Sequence, residues 1–169
     1  MTRPEPAAAH ARCYESCECR CGEADGAFDA IVARETRFAI RLDDICRANI
    51  GWYGDKSLDD SGVGDWGLKG RSGLYFLWHK DDYCPHHERF HMRALYVGKG
   101  GFDRRLRSHW QGKDTSDEML VYFSFVELEN RIAKYVEQVL LDLYQFPLNT
   151  AENPGRGRLC AHFSQGEVD

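Results

Sequence analysis

Ile132, Val136, Val139, Leu140 and Leu143 recur at the spacing of one helix face, and the pattern stops just short of Pro147. A proline inside a helix removes a backbone donor and clashes with the preceding turn, so residues 129–144 read as a helix that ends there. The segments before it are more extended. Gly73 to Trp78 is short, apolar and aromatic, as expected of a buried strand, and Ala94 to Val97 reads as a second. Phe102, Leu106 and Trp110 stand at i, i+4 and i+8, which predicts a helix over 102–110. Leu120 to Leu128, with Val121-Tyr122-Phe123 inside it, predicts a third strand. The order β-β-α-β-α is that of an α/β (α+β) unit with a small three-stranded sheet flanked by helices.

The remainder reads as additions to that unit. Residues 1–26 are rich in Ala, Pro, Glu and Cys without periodicity and read as a flexible Cys-rich arm. Between 27 and 48, Phe28, Ile31, Val32, Phe38, Leu42 and Ile45 recur at helical spacing, predicting one or two amphipathic helices. Residues 49–72 carry six glycines and several acids and read as an ordered loop, so 27–72 forms an N-terminal helical extension. The core is placed at 73–150 and a C-terminal tail at 151–169. Residues 79–93 are polar and histidine-rich, an apparent insertion between the first two strands.

Two tripeptides bracket that insertion: Gly73-Leu74-Tyr75 and Tyr96-Val97-Gly98, the latter followed at once by Lys99. Arg105 and His109 follow on one helical segment, then Glu137 beside the apolar stripe of its helix, then Asn149. Each piece alone is common. The ordered series within 73–149 resembles the GIY-YIG nuclease superfamily, named for the two tripeptides. The resemblance implies a divalent-metal-dependent endonuclease that hydrolyses phosphodiester bonds, built on a small three-stranded sheet. In most members the first two strands meet in a tight turn, and here 79–93 departs from that pattern.

Phosphodiester hydrolysis needs a deprotonated water, positive charge on the phosphoryl oxygens and help for the departing oxygen. By resemblance, Tyr96 is the general base and Tyr75 orients water or phosphate, although strand tyrosines also serve simply as core. Arg105 and His109, four residues apart, project from one helix face. Arg105 suits bidentate charge stabilisation, and His109 suits proton relay or phosphate contact, where a plain surface pair is the alternative. Lys99 and Arg105 favour a phenolate. The resemblance implies that Glu137 is the metal ligand, for Mg²⁺ or Mn²⁺, since Mg²⁺ keeps waters and needs only one or two carboxylates; the alternative is an ordinary exposed helix residue. By the same resemblance, Asn149 is expected to tie the helix end to the site by hydrogen bonds.

The net charge of −5 speaks against a nucleic-acid partner, but its distribution speaks for one. Between Arg89 and Lys113 stand seven Lys/Arg residues against one acid, Asp103. Arg93, Arg104, Arg107 and Lys113 are the expected backbone contacts, to DNA in the first place and to RNA or branched repair intermediates as alternatives; a non-catalytic nucleic-acid-binding module is the rival of another class. Cys13, Cys17, Cys19 and Cys21, and separately Cys84-Pro85-His86-His87 with His91, offer donors for a structural Zn²⁺, with reduced thiols on a mobile arm the preferred reading of the first group. No run is long enough to span a bilayer and the N-terminus lacks an apolar leader, from which a cytoplasmic protein without membrane contact is expected.

Overall fold

The structure, a computed structural model, describes residues 21–53, 67–85, 87–112 and 120–169, without the side chains of residues 21–25, 107 and 109–112. Five helices and five strands are described: α1 Cys21–Glu35, α2 Leu42–Cys46, β1 Gly51–Tyr53, β2 Ser72–Cys84, β3 Arg89–Gly101, α3 Phe102–Gly112, β4 Val121–Glu127, α4 Asn130–Leu143, β5 Cys160–Phe163 and α5 Gln165–Val168. The strands form one antiparallel sheet in the order β1-β4-β2-β3-β5.

The central three strands are those expected from the sequence, and the sheet is wider by one short strand at each edge. Glycine spacing hides β1, which lies inside the segment read as a loop: at Gly51 the Phe123 ring fills the space a side chain would need. β5 lies inside the segment read as a tail, and all four of its residues are buried. The supposed insertion at 79–93 is also mostly strand. β2 and β3 continue their ladder through His79↔Arg93, Lys80↔Met92, Tyr83↔Phe90 and Cys84↔Arg89. Polar side chains on one face of this extension interrupt the apolar pattern by which a buried strand is recognised.

Alternation of side chains divides the core in two. Leu74, Phe76, Trp78, Met92, Ala94 and Val97 face the layer of α1, α2, α4 and α5. Tyr75, Leu77, Leu95, Phe123 and Phe125 face Phe102 and Leu106 of α3. α4 buries Ala133, Val136, Val139, Leu140 and Leu141, each larger side chain contributing about 1.5–3 kcal/mol. Trp78, fully buried, donates its indole N–H to Ser124 Oγ at 2.9 Å, which satisfies both polar groups inside the core.

The end of α4 explains why 151–169 is integral to the fold. A helix terminus leaves carbonyls without intrahelical partners. Here Gly155 donates its N–H to the Leu141 carbonyl at 2.9 Å and Gly157 to that of Leu143 at 3.0 Å. Asn153 clamps the backbone of Phe146, donating to its carbonyl at 2.9 Å and accepting from its N–H at 3.3 Å. The chain is thereby turned back to deliver β5 to the outer edge of β3. Among the described residues no helix is long and apolar enough to cross a membrane.

Candidate functional site

The site begins with an irregularity in β3. Leu77 lies opposite Tyr96 and Trp78 opposite Ala94, so Leu95 is an extra residue on β3. A bulge of this kind re-aims neighbouring side chains. It puts both Leu95 and Tyr96 on the α3 face, with Tyr75. The bulge is held from outside. Leu148 donates its N–H to the Leu95 carbonyl at 2.9 Å. Asn149 accepts from the Val97 N–H at 3.1 Å and donates to the Val97 carbonyl at 2.9 Å, acting as one residue of an added strand. Tyr96 is therefore gripped on both sides in the chain.

Glycines make room beside it. A Cβ at Gly98 would stand 2.6 Å from the Tyr75 hydroxyl and 2.6 Å from the Tyr96 ring, so the two phenols occupy the volume of the missing side chain. Their rings lie 5.9 Å apart at 33°. Phe102, the first residue of α3, meets the Tyr75 ring edge-on at 6.2 Å and fixes it from below. A Cβ at Gly100 would lie 3.3 Å from Arg105 Nε, which places that guanidinium over the strand next to the tyrosines. Gly73 meets a different demand: a side chain there would collide with the backbone of Val126 and Glu127 on β4 and of Leu128 just after it.

Lys99, opposite Leu74, belongs to the α4 face, and Glu137 comes from α4 itself. Lys99 Nζ donates to Asn130 Oδ1 at 3.5 Å, at the start of that helix. β5 pairs β3 only over Phe90–Arg93, and Asn149 reaches Val97. Beyond Val97 that edge of β3 has no strand partner among the described residues. Groups from both faces of the sheet converge at this edge.

The electrostatics record the convergence. Burial pushes the Glu137 carboxyl above its usual range, and Lys99 and Arg105 oppose that shift. Tyr75 is pushed far up, first by burial, then by Tyr96, with Arg105 opposing and Glu137 adding to the rise. Tyr96 is raised too, by burial first, but the hydrogen bond from Tyr75 and the charge of Arg105 pull the other way. Burial favours the protonated form of both phenols, and the hydrogen bond between them together with Arg105 makes Tyr96 the one better able to carry negative charge. The sequence expectation needs adjusting here. Lys99 acts on Glu137, and burial outweighs Arg105 at Tyr96, so its phenol stands above the ordinary tyrosine value.

Five residues of the series, Tyr75, Tyr96, Lys99, Arg105 and Glu137, therefore share one site, with Asn149 bracing it. The side chains of His109 and Arg107 lie outside the described residues, as do Lys113, Cys13, Cys17, Cys19, the Cys21 side chain and His86. Arg104 is exposed on α3 next to Arg105. Arg93 is elsewhere: it lies six residues before Lys99, about 20 Å along a strand. Asp81 accepts from its Nε and Nη2, both at 3.4 Å. Its charge is already paired. Sequence reasoning missed Asn130, which has no pattern signal, and Glu152, a second carboxylate close enough to raise Glu137.

The donor set fits a hard divalent ion. Glu137 offers carboxylate oxygens in a half-buried position, and Mg²⁺ tolerates one or two protein oxygens when water and phosphate complete its shell. Among the described residues no group of three or more His, Cys, Asp or Glu side chains stands in a metal-holding arrangement. No family model, no curated protein and no solved structure matches this chain.

Proposed function

We propose that the protein is a GIY-YIG-type endonuclease that hydrolyses phosphodiester bonds, most directly those of DNA. The observation that carries this reading is the meeting of two hydrogen-bonded phenols, one arginine and one half-buried carboxylate at an open strand edge. These residues come from β2, β3, α3 and α4.

In this reading Tyr96 takes the proton of the attacking water. A hydrogen bond donated by Tyr75 to its oxygen would stabilise the phenolate. Arg105 lies over Gly100 with its planar fork available to two phosphoryl oxygens, the geometry that neutralises charge developing in the transition state. Lys99 adds a second positive charge beside Glu137. Glu137 would hold Mg²⁺ or Mn²⁺, which supplies Lewis-acid stabilisation and lowers the basicity needed to activate water. Arg104, exposed one residue away, extends the positive surface toward the neighbouring backbone.

The test is incubation of the full chain with supercoiled plasmid, linear single-stranded DNA and RNA, each with Mg²⁺ or excess EDTA. Metal-dependent nicking or linearisation of plasmid is expected. Retention of all three substrates without cleavage would favour the non-catalytic binding module, and cleavage confined to RNA would redirect the substrate assignment.

A further inference from the structure

The far end of the β2–β3 hairpin carries a separate cluster. β3 and β5 set His91 opposite His162. Their rings lie 5.1 Å apart, and the His87 ring lies 4.5 Å from that of His162. Cys84, almost fully buried, closes β2 with its Sγ 3.5 Å from His87 Nδ1. Cys84 of β2, His87 of the turn that follows, His91 of β3 and His162 of β5 thus lie side by side.

We infer that Cys84, His87, His91 and His162 form a tetrahedral zinc site that fastens the hairpin tip to β5. The spacing is that of ligands to one ion. With Zn–S about 2.3 Å and Zn–N about 2.0 Å, two donors on a tetrahedron stand about 3.5 Å apart, and two imidazole centroids on the same zinc about 5 Å apart. The Cys84–His87 distance and the His91–His162 separation fall at these values, and the His87 and His162 rings, at 4.5 Å, stand somewhat closer. His91 also has the outer partner such a ligand uses: its Nδ1 meets Asp82 Oδ1 at 3.0 Å, and Nε2 would be its ligating atom. The donors do not yet close around one point, and closing them takes rotation of imidazole rings on a backbone already in register. Cys84 binds as thiolate and releases its proton to solvent. The soft sulfur and three imidazoles select zinc over the magnesium suited to Glu137.

The test uses the full chain with Cys13, Cys17, Cys19 and Cys21 replaced by serine, which removes the arm as a competing source of thiolates. Titration with Co²⁺ should give tetrahedral d–d bands and a thiolate charge-transfer band, and elemental analysis should find about one zinc per chain. Chelation should lower Tm by roughly 5 °C. His87→Ala, in the turn, should cut zinc affinity by about 100-fold or more while leaving the apo Tm near the parent's. Because Cys84 is buried and Cys84→Ser can fail to fold, the decisive readings are the Co²⁺ spectrum of the parent and the affinity of His87→Ala. An absent cobalt spectrum, or zinc affinity unchanged in His87→Ala, overturns the site and leaves the 3.5 Å contact as a thiol–imidazole hydrogen bond.

Discussion

The two ends of the β2–β3 hairpin are built from the same pair of strands and differ in nearly every chemical respect. At the Gly98 end the strand edge is open, glycines replace side chains, and phenols, cations and a carboxylate crowd into the space. At the Cys84 end β5 covers the edge, and thiol and imidazoles replace oxygens. The difference follows from register. Removing side chains at 98 and 100 makes room for reactive groups from other layers, whereas the His91↔His162 pairing brings soft donors together by cross-strand contact alone. The two ends should therefore fail independently when mutated.

The largest separation is expected from Tyr96→Phe. It removes the proton acceptor and keeps the ring, so cleavage should fall about 10²- to 10⁴-fold with little change in Tm. The wild-type rate should rise with pH as the base deprotonates, and this limb should vanish in the variant, a comparison read from rates measured across pH. An unchanged profile would transfer the base role to His109. Zinc content should not move.

Arg105→Lys keeps the charge and loses the planar fork, for an expected loss of about 10²-fold in kcat. Arg104→Ala should mainly weaken DNA binding and reduce its salt slope by about one unit, measured by titration at several salt concentrations. Identical behaviour of the two variants would mean that the wrong arginine has been placed at the phosphate.

Asn149→Ala tests the brace. It leaves both backbone groups of Val97 without their partner, at about 1–3 kcal/mol, readable by denaturant unfolding. It should also slow cleavage by misplacing Tyr96. Loss of stability with full activity would show that the bulge holds itself.

The smallest effect concerns neither end. Burial opposes ionisation of Glu167, but hydrogen bonds from Ser164 and the charge of Arg47 hold its carboxyl below the usual range. That stabilisation is complete above the unfolded carboxylate pKa and disappears as pH falls through the lower folded value. Glu167→Gln should cost at most about 1 kcal/mol near neutral pH and should reduce the loss of stability on acidification. Urea unfolding from pH 3 to 7 reads it.

Much of this was legible in the sequence. The α4 face, the two glycine-flanked tyrosine strands and the α3 stripe of Phe102 and Leu106 announced themselves because periodic apolar burial leaves a periodic trace. The edge strands did not, since Gly51–Tyr53 and Cys160–Phe163 are too short to show a period and rest on pairing partners about 70 residues away, in β4 and β3 respectively. For the site, the series named Tyr75, Tyr96, Arg105 and Glu137, but not how they meet. The Leu95 bulge and the Tyr75-to-Tyr96 hydrogen bond depend on register and burial, which no spacing encodes. Arg93 shows the same limit: its charge counted toward a basic segment, yet the fold pairs it with Asp81.

The central claim is that a half-buried carboxylate on α4 makes the open strand edge a metal-dependent nuclease site. Its most direct measurement is plasmid cleavage by wild type and Glu137→Ala at matched Mg²⁺ concentrations, alongside wild type in EDTA. The account predicts cleavage by wild type with Mg²⁺, none detectable by the variant or in EDTA, and folding and DNA binding of the variant close to wild type. Undiminished cleavage by Glu137→Ala, or by wild type in excess EDTA, would contradict it.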